Sequence, residues 1–365
     1  MNQRFLFPLL FSTVAAAGAT TVTTTVLERG PHSQIVQSVS AAVDEQGKPV
    51  SVTNTFTQLQ TGLNRWSQVD GAWVSASEQV ERVNGTLVAR QTQHQVIFAD
   101  RADATNGTID LTMVNGARFR VRPTGIAYTE FTDGQPGRSV FVAELQSSAA
   151  QLTAPNEIAY FAALEYGDLA YDLSLAGLEQ NVVFRQRPPR PQDLQMDPAL
   201  VRIECWNQVL EAPAPAARFS TITRSDGSVD QETQLDFGPM QINIGRAYAL
   251  NGAPDALSVR VAKQWAVISN SVWLIESVPY AELAPLLAML PTQQAGRSLD
   301  RDKLRRLWAN QSTGKRALPV SLPEVRSAKA SARTGKRVAA AEPDPDRSVR
   351  ASRSTGPYWV AQRIL

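Results

Sequence analysis

Seven Asn-Gly or Asp-Gly dipeptides punctuate the chain between segments in which apolar and polar residues alternate. They are Asp70-Gly71, Asn84-Gly85, Asn106-Gly107, Asn115-Gly116, Asp133-Gly134, Asp226-Gly227 and Asn251-Gly252. Both dipeptides tolerate the positive φ angles of two-residue hairpin turns, so each favours a connection between antiparallel strands. Their wide spacing favours a large antiparallel β-sandwich or double sandwich over a short meander. The sequence therefore predicts an all-β fold.

The segments between these turns have the composition of strands. Runs such as TTVTTTVLE and SVTNTFTQLQ are rich in Thr and Val, which suit the pleated surface of a sheet. Helical patterns are confined to VPYAELAPLLAMLP, where Pro285 separates two short turns, and to the basic segment SLDRDKLRRLWANQ. The proline-rich RQRPPRPQ cannot sustain a ladder of hydrogen bonds and predicts a connector.

The first residues have the layout of a secretory signal peptide. Arg4 precedes an apolar run from Phe5 to Val14, and the small residues Ala17 and Ala19 follow. This pattern predicts cleavage before Thr20 and export to the periplasm, the cell surface or the medium. The apolar run is too short to cross a bilayer, so no transmembrane span is expected after cleavage.

These features predict an organisation in six segments. They are a signal peptide at 1–19, a first β half at 20–186, a second β half at 193–291, a short basic helix at 292–310, a disordered basic linker at 311–357 and an edge strand at 358–365. A connector between two sheets of one unit would produce the same pattern around residues 187–192.

Charge is distributed unevenly between the body and the C-terminal part. Residues 292–365 hold 16 Lys and Arg against 6 Asp and Glu, a net +10, so residues 1–291 hold 20 against 28, a net −8. The favoured interpretation of such a segment is a solvated linker that binds nothing. The alternative is salt-sensitive contact with an anionic envelope polymer or nucleic acid, without sequence-specific nucleic-acid recognition. The candidate contact residues are Arg305, Arg306, Lys315, Arg316, Lys336 and Arg337.

Residue types that carry catalysis are scarce. The chain has two histidines, His32 and His94, neither at metal-ligand spacing from another His or Cys, so no zinc site is predicted. Cys205 is the only cysteine and follows branched apolar residues, which predicts a buried structural thiol. The patterns of serine hydrolases, P-loops and dinucleotide-binding proteins are absent, so we assign no catalytic residue and no cofactor.

Glycoside hydrolysis needs only two carboxylates, and the stretch ALEYGDLAYDLSLAGLEQNVVF offers four: Glu165, Asp168, Asp172 and Glu179. On one strand, Asp168 and Asp172 share a face but stand roughly 13 Å apart. Catalytic pairs need about 5 to 9.5 Å, so these two do not suffice, and a cross-strand partner such as Glu179 or Glu130 stays open. The favoured interpretation places Leu169, Tyr171, Leu173 and Leu175 in the core and the carboxylates in water.

Two tryptophans in NRWSQVDGAWVSAS form a candidate binding platform. A two-residue turn at Asp70-Gly71 would place Trp66 and Trp73 on one face as diagonal neighbours, roughly 7 to 8 Å apart. An exposed pair would stack a sugar ring, whereas a buried pair would belong to the core, and the buried pair is the favoured interpretation.

Three segments resemble known secreted proteins. PNEIAYFAALEYGDLAYDLSLAGLEQNVVFRQRP, LNRWSQVDGAWVSASEQVERVNGTLVARQTQHQVIFA and VAKQWAVISNSVWLIESVPYAELAPLLAMLP are similar to the N-terminal β-rich scaffold region of large secreted bacterial surface proteins of the Rhs type and related ones. In the first segment the matching positions are Tyr160, Gly167, Asp168, Tyr171 and Glu179. The resemblance implies an exported scaffold and brings no catalytic residues. The Rhs repeats themselves are absent, so a toxin role is not implied.

The sequence thus predicts an exported, non-catalytic β-domain protein that acts as a surface scaffold, adhesion or assembly module. The alternative is a carbohydrate-active protein, either glycan-binding or hydrolytic, with Trp66, Trp73, Asp168 and Asp172 as ligand-binding residues. A polysaccharide or another envelope component is the expected partner.

Overall fold

The computed structural model of the chain describes residues 22–223, 229–243, 245–249, 258–292 and 357–364. The chain divides into two compact units, Met1–Val74 and Ser75–Leu365. Antiparallel strands dominate the described residues of both units, which confirms the predicted all-β fold. The predicted signal peptide at 1–19 and almost all of residues 292–357 lie outside the described residues.

The first unit contains one three-stranded sheet and one hairpin. Its strands are β1 (Val22–Arg29), β2 (Ser33–Val43), β3 (Pro49–Leu59), β4 (Asn64–Ser67) and β5 (Ala72–Ser75). The sheet has the order β1-β2-β3, and β4 pairs with β5. The pairing of β2 with β3 runs without interruption over eleven residue pairs, whereas the pairing of β1 with β2 is shifted between Val26 and Glu28. We call the sheet β1-β2-β3 the open sheet.

The open sheet has almost no core. Every residue of β3 is exposed, and on β2 only Val36 is fully buried. Asn64 instead ties the sheet to β4, because its side-chain amide donates to the carbonyls of Gly30 (2.8 Å) and Ser33 (3.1 Å) and accepts a hydrogen bond from Arg29 (2.7 Å). This buried amide therefore satisfies the backbone of the turn between β1 and β2.

The second unit contains eighteen of the described strands and two short helical segments. The first ten strands are β6 (Val80–Val83), β7 (Thr86–Ala89), β8 (Gln95–Phe98), β9 (Ile109–Thr112), β10 (Arg118–Thr132), β11 (Gln135–Glu144), β12 (Ala150–Ala154), β13 (Glu157–Leu164), β14 (Gly167–Leu173) and β15 (Leu178–Phe184). The others are β16 (Val201–Glu211), β17 (Ala216–Thr223), β18 (Val229–Asp236), β19 (Gln241–Asn243), β20 (Gly245–Ala249), β21 (Ser258–Ile268), β22 (Ser271–Pro279) and β23 (Pro357–Ile364). A 3-10 helix (Pro191–Leu194) precedes β16, and helix α1 (Tyr280–Ala288) follows β22.

These strands form two antiparallel layers. In the first, the order is β6-β7-β8-β9-β10-β16-β22-β21, and β11 pairs with the second half of β10. In the second, the order β12-β13-β14-β15-β23 continues from β23 to β19 and β20, and β18 pairs with β19 and with β17. The two layers are connected because β20 also pairs with β21.

The C-terminal strand β23 is paired on both sides. It pairs with β15 along one side and with β19 and β20 along the other. The sequence placed an edge strand here, but the observed strand is internal and joins the two parts of the second layer.

One large core lies between the two layers. It includes Tyr128 and Ile203 from the first layer and Tyr160, Leu169 and Tyr171 from the second, all at most 1% exposed. Side chains of both layers thus meet in one interior, as in a β-sandwich.

The described turn dipeptides behave in two ways. Asn84-Gly85 and Asp133-Gly134 form two-residue hairpin loops with positive φ at both residues, as predicted. Gly71, Gly107 and Gly116 also have positive φ, but they lie in longer loops. The other two dipeptides lie outside the described residues. A further two-residue hairpin, Ser269-Asn270 between β21 and β22, carries no glycine and was not predicted.

Within the segment VPYAELAPLLAMLP, residues Tyr280–Ala288 form one continuous helix. Helix α1 runs through Pro285 and buries Leu283, Leu286 and Leu287. The predicted interruption at Pro285 is therefore wrong. A proline in a nine-residue helix removes a single intrahelical hydrogen bond, and the burial of three leucines offsets that loss.

Candidate functional site

Asp168 lies on β14 and is only 3% exposed. Its Oδ1 accepts a hydrogen bond from the Ala162 backbone N–H at 2.7 Å, and its Oδ2 accepts one from Nε–H of Arg185. Ala162 has a positive φ of 51° where the pairing of β13 with β14 is irregular. The carboxylate thus satisfies a backbone N–H at a bulge, a role that short polar side chains commonly take. The prediction that Asp168 faces water is wrong.

Gly167 explains how β14 and β15 approach each other beside this bulge. A Cβ atom at Gly167 would lie 2.0 Å from the carbonyl oxygen of Val183 on β15. Arg185 follows β15, and its guanidinium lies 5.5 Å from the centre of the Phe161 ring. The Gly-Asp pair of the sequence therefore serves local packing and backbone satisfaction.

Asp172 lies in a row of three carboxylates. Glu157 on β13, Asp172 on β14 and Glu179 on β15 are direct cross-strand partners, so their side chains share one face of the sheet. Nδ2–H of Asn181 donates to Asp172 at 2.6 Å. Burial, followed by the negative charges of Glu157 and Glu179, raises the pKa of Asp172 to about 7. A carboxyl group with that pKa is half protonated near neutrality.

The structure separates the carboxylates that the sequence offered as a pair. Asp168 is held by Ala162 and Arg185, and Glu130 accepts a hydrogen bond from the Asp197 N–H at 3.1 Å. Glu130 lies on β10 in the other layer, so of the two proposed cross-strand partners only Glu179 adjoins Asp172. The opposite face of β14 matches the prediction, since Leu169, Tyr171 and Leu173 are buried in the core. Leu175, which was also predicted to face the core, lies beyond the end of β14 and is only partly buried.

Trp66 and Trp73 are brought together on the β4-β5 hairpin. Their ring centroids are 5.5 Å apart and the rings meet edge to face at 76°. The connection is a four-residue loop, not the predicted two-residue turn, because the hydroxyl of Ser67 accepts the Asp70 N–H and the Gly71 N–H bonds the Ser67 carbonyl. Trp66 is 46% exposed, so this pair does not belong to a core.

A shallow depression of about 380 Å³ lies beside this pair. Its lining is formed by Val26, Leu27, Glu28, Arg29, Trp66, Ala72 and Trp73. An exposed aromatic ring flanked by a carboxylate and a guanidinium offers a stacking face together with hydrogen-bonding groups. The depression is therefore a candidate ligand site of the first unit.

A polar network that the sequence did not predict lies inside the sandwich. The hydroxyl of Tyr171 donates to Gln180 (3.1 Å), the amide of Gln180 donates to Asn207 on the other layer (3.0 Å), and the amide of Asn207 lies 3.7 Å from Sγ of Cys205. All four residues are less than 3% exposed. The hydrogen bond from Gln180 to Asn207 thus links the two layers through the core.

An ion pair adjoins this network. Glu276 lies opposite Cys205 on one side and Lys263 on the other, and Nζ of Lys263 is 3.9 Å from Oε1 of Glu276. Both side chains are fully buried. Desolvation raises the pKa of Glu276, although the charge of Lys263 opposes the shift, and burial likewise raises the pKa of the Cys205 thiol. The predicted buried thiol is confirmed, and the cluster is enclosed by core residues.

These interior residues have no simple sequence signal. Gln180 and Asn207 lie on β15 and β16, and Lys263 and Glu276 lie on the β21-β22 hairpin, and each looks locally like a polar residue of an alternating strand. A polar residue at an apolar position of the alternation, such as Glu276 in SVWLIESVP, was the available signal.

The histidines remain apart from any cluster of ligands. Nδ1 of His32 accepts a hydrogen bond from the Gly62 N–H at 3.0 Å, and burial lowers the pKa of His94 to about 4. Over the described ranges, no group of three His, Cys, Asp or Glu side chains is arranged to hold a metal ion. Within those same ranges, no helix has the length and apolar character needed to cross a lipid bilayer.

The basic candidates for polymer contact, Arg305, Arg306, Lys315, Arg316, Lys336 and Arg337, lie outside the described residues. Their role stays a prediction. The chain matches no known protein family, no curated protein and no solved structure.

Proposed function

We propose that this chain is an exported, non-catalytic β protein that acts as an assembly module of the bacterial cell envelope or surface. The open sheet is its contact surface. The observation that carries this proposal is the exposure of β3, whose eleven residues are all solvent-accessible although four of them are large and apolar. The resemblance to scaffold regions of secreted surface proteins supports the location.

Exposed apolar side chains on β3 are energetically unfavourable for a protein that remains monomeric. Val50, Val52, Phe56 and Leu59 are 37%, 40%, 51% and 75% exposed. Val50, Val52 and Phe56 share one face of the sheet, and Leu59 lies on the other. Exposed apolar groups along one face and long unprotected edge strands are typical of surfaces that another chain covers. A contact on the open sheet would remove this apolar surface from water.

Sedimentation with envelope fragments tests the proposal. The mature chain from Thr20 is mixed with envelope fragments of the producing cells, and Phe56→Asp is compared with Ile97→Asp. Ile97 lies on β8 of the second unit and is 48% exposed, close to the 51% of Phe56, so the two changes introduce the same charge at similarly exposed sites.

We expect the native chain and Ile97→Asp to sediment with the fragments and Phe56→Asp to lose at least tenfold in bound protein. Equal sedimentation of all three proteins, or none of the native chain, would contradict the assembly role of the open sheet.

A second candidate function is glycan binding at the depression beside Trp66. The observation that favours it is the 46% exposure of Trp66 next to Trp73, with Glu28 and Arg29 in the same lining. A sugar ring that stacks on an exposed aromatic face typically gains about 1 kcal/mol or more from that contact. This candidate requires binding only and no bond cleavage.

A panel of glycans and envelope polymers tests this second candidate. Trp66→Ala removes the exposed ring, and Trp206→Ala serves as a control because Trp206 lies in the second unit and is 8% exposed. We expect Trp66→Ala alone to abolish binding of any polymer that the native chain retains. If Trp66→Ala binds the polymer as strongly as the native chain does, the depression is not the glycan-binding site.

A further inference from the structure

The outer edge of β3 presents a regular set of unused backbone groups. In the pairing of β2 with β3, the Gln60 N–H bonds the His32 carbonyl and the Asp44 N–H bonds the Lys48 carbonyl. Hydrogen-bonded pairs alternate along an antiparallel ladder, so the even-numbered residues of β3 point their backbone groups toward β2. The odd-numbered residues from Ser51 to Leu59 therefore point theirs outward.

This edge lacks the features that normally protect an edge strand. The sequence of β3, PVSVTNTFTQL, contains no charged residue, and its pairing with β2 has no bulge. Pro49 lies at the first position, where it interrupts nothing. Edge lysines, internal prolines and bulges are the usual devices against edge-to-edge pairing. The opposite edge of the sheet, β1, has a shifted register and ends at the charged residues Glu28 and Arg29.

The side chains of β3 are complementary to those of a second β3 strand. Suppose that two β3 strands pair antiparallel with Asn54 of one copy opposite Asn54 of the other. Val52 of each copy then lies opposite Phe56 of the other, and Thr53 of each lies opposite Thr55 of the other. Pairs of aromatic with β-branched residues and pairs of threonines are favourable across strands. The outward backbone groups meet in the same register, because Thr53 and Thr55 are both odd-numbered, and about ten hydrogen bonds form.

We propose that the occupant of this edge is a second copy of the chain, and that β3 of one copy pairs with β3 of the other to extend the open sheet to six strands. A partner strand of acidic or basic character would find no opposite charge on β3, whereas a second copy brings an equally long and equally uncharged strand. Among the described residues no strand pairs with the outer side of β3. This inference rests on the proposed assembly role of the open sheet and names its partner.

Two matched proline substitutions test the pairing. Thr55→Pro removes an outward N–H of β3 and leaves the hydrogen bonds to β2 intact. On β1, the Gly30 N–H bonds the Ser33 carbonyl, and the register places the Thr24 N–H outward in the same way. Thr24→Pro is therefore the same change at the other edge of the same sheet. Circular dichroism verifies that both variants keep their strands.

The mass of the mature chain in solution is measured by light scattering after size-exclusion chromatography. We expect twice the mass of one chain for the native protein and for Thr24→Pro, and the mass of one chain for Thr55→Pro. Thr55→Lys, which places a charge in the pairing, is expected to reproduce the loss if the proline variant fails to fold.

The other outcomes overturn the pairing. A native chain that is monomeric at 100 µM, or a dimer that Thr24→Pro dissociates and Thr55→Pro does not, excludes the β3 edge as the dimer contact. If the native chain is a monomer and still sediments with envelope fragments in a way that Phe56→Asp abolishes, the pairing of two β3 strands is wrong and the proposed assembly function stands. If the native chain is a dimer that does not sediment with envelope fragments, the pairing of two β3 strands stands and the proposed assembly function is wrong.

Discussion

Strands β3 and β14 have similar local sequences and opposite environments. In PVSVTNTFTQL and GDLAYDL, apolar and polar residues alternate, yet every residue of β3 is exposed and six of the seven residues of β14 are buried. The difference comes from neighbours: β14 lies between β13 and β15 in a layer that covers a core, and β3 is the last strand of a three-stranded sheet. Alternation therefore predicts which face is the more apolar, but not whether either face is covered.

The backbone hydrogen bonds of the two strands also differ. Around β14, irregular backbone is satisfied inside the unit, since Asp168 accepts the N–H of Ala162 at the bulge. Along β3, the outward N–H and C=O groups have no partner strand among the described residues. We infer that the second unit is structurally self-contained, whereas the open sheet is completed by another chain.

Removal of residues 357–365 should produce the largest effect. Strand β23 pairs with β15, β19 and β20, so its loss leaves three strands of the second layer with unpaired edges. We expect the truncated chain to lose cooperative unfolding in urea, measured by near-ultraviolet circular dichroism. A cooperative transition at the native midpoint would show that β23 contributes nothing to the second unit.

Core truncation in β14 and surface truncation in β3 should differ strongly. Tyr171→Ala removes a ring that is 1% exposed and the hydrogen bond to Gln180, so we expect a loss of about 3–5 kcal/mol in the free energy of unfolding. Phe56→Ala, measured below the concentration of dimer formation, should change it by at most about 0.5 kcal/mol. Urea titrations of both variants check this. Equal losses would mean that β3 is covered within its own chain.

Substitution of Asp172 is expected to increase stability, by less than the core truncation at Tyr171 decreases it. Burial and the neighbouring carboxylates raise its pKa from 3.8 to about 7, so the folded state binds the proton more tightly than the unfolded state does. Stability is then lost as the pH rises from about 4 to about 7. We expect Asp172→Asn to raise the free energy of unfolding by about 1–2 kcal/mol at pH 8, allowing for partial exposure, and to change little at pH 4.

Urea titrations at pH 4 and pH 8 measure this difference. Asp168→Asn is the control, because it weakens the hydrogen bonds to Ala162 and Arg185 and should destabilise the chain at pH 8. A loss of stability on Asp172→Asn at pH 8 would show that the carboxylate row is not repulsive. The sequence alone predicted almost no effect at Asp172, since it placed this side chain in water.

Local chemistry made part of the fold readable from the sequence. Asn84-Gly85 and Asp133-Gly134 adopt the turns that their conformational preferences dictate, and the alternation around Tyr171 identified the correct core face. The proximity of Trp66 and Trp73 also followed from a local hairpin, although the turn is longer than predicted. Each of these features depends on residues that are close in sequence.

Features that depend on distant pairing were not readable. The contact of Gln180 with Asn207 and the double pairing of β23 require the order of strands in the layers. The ion pair of Lys263 with Glu276 lies across the β21-β22 hairpin, whose turn has neither Asn-Gly nor Asp-Gly. The burial of Asp168 depends on a bulge in β13 that no residue type in the stretch signals. Ser269-Asn270 forms a tight hairpin without glycine, so the turn signal itself was incomplete.

Hydrogen exchange along β3 tests whether the outer edge of this strand pairs with a second copy of the chain. If β3 is an unpaired edge, the outward amides of Thr53, Thr55 and Thr57 exchange at the rate of an unstructured peptide, whereas the inward amides of Asn54 and Phe56 are protected by β2. In the concentrated native protein, we expect the three outward amides to be protected as strongly as their inward neighbours and to lose this protection in Thr55→Lys. Rapid exchange of the outward amides in the native protein at every concentration would contradict this pairing.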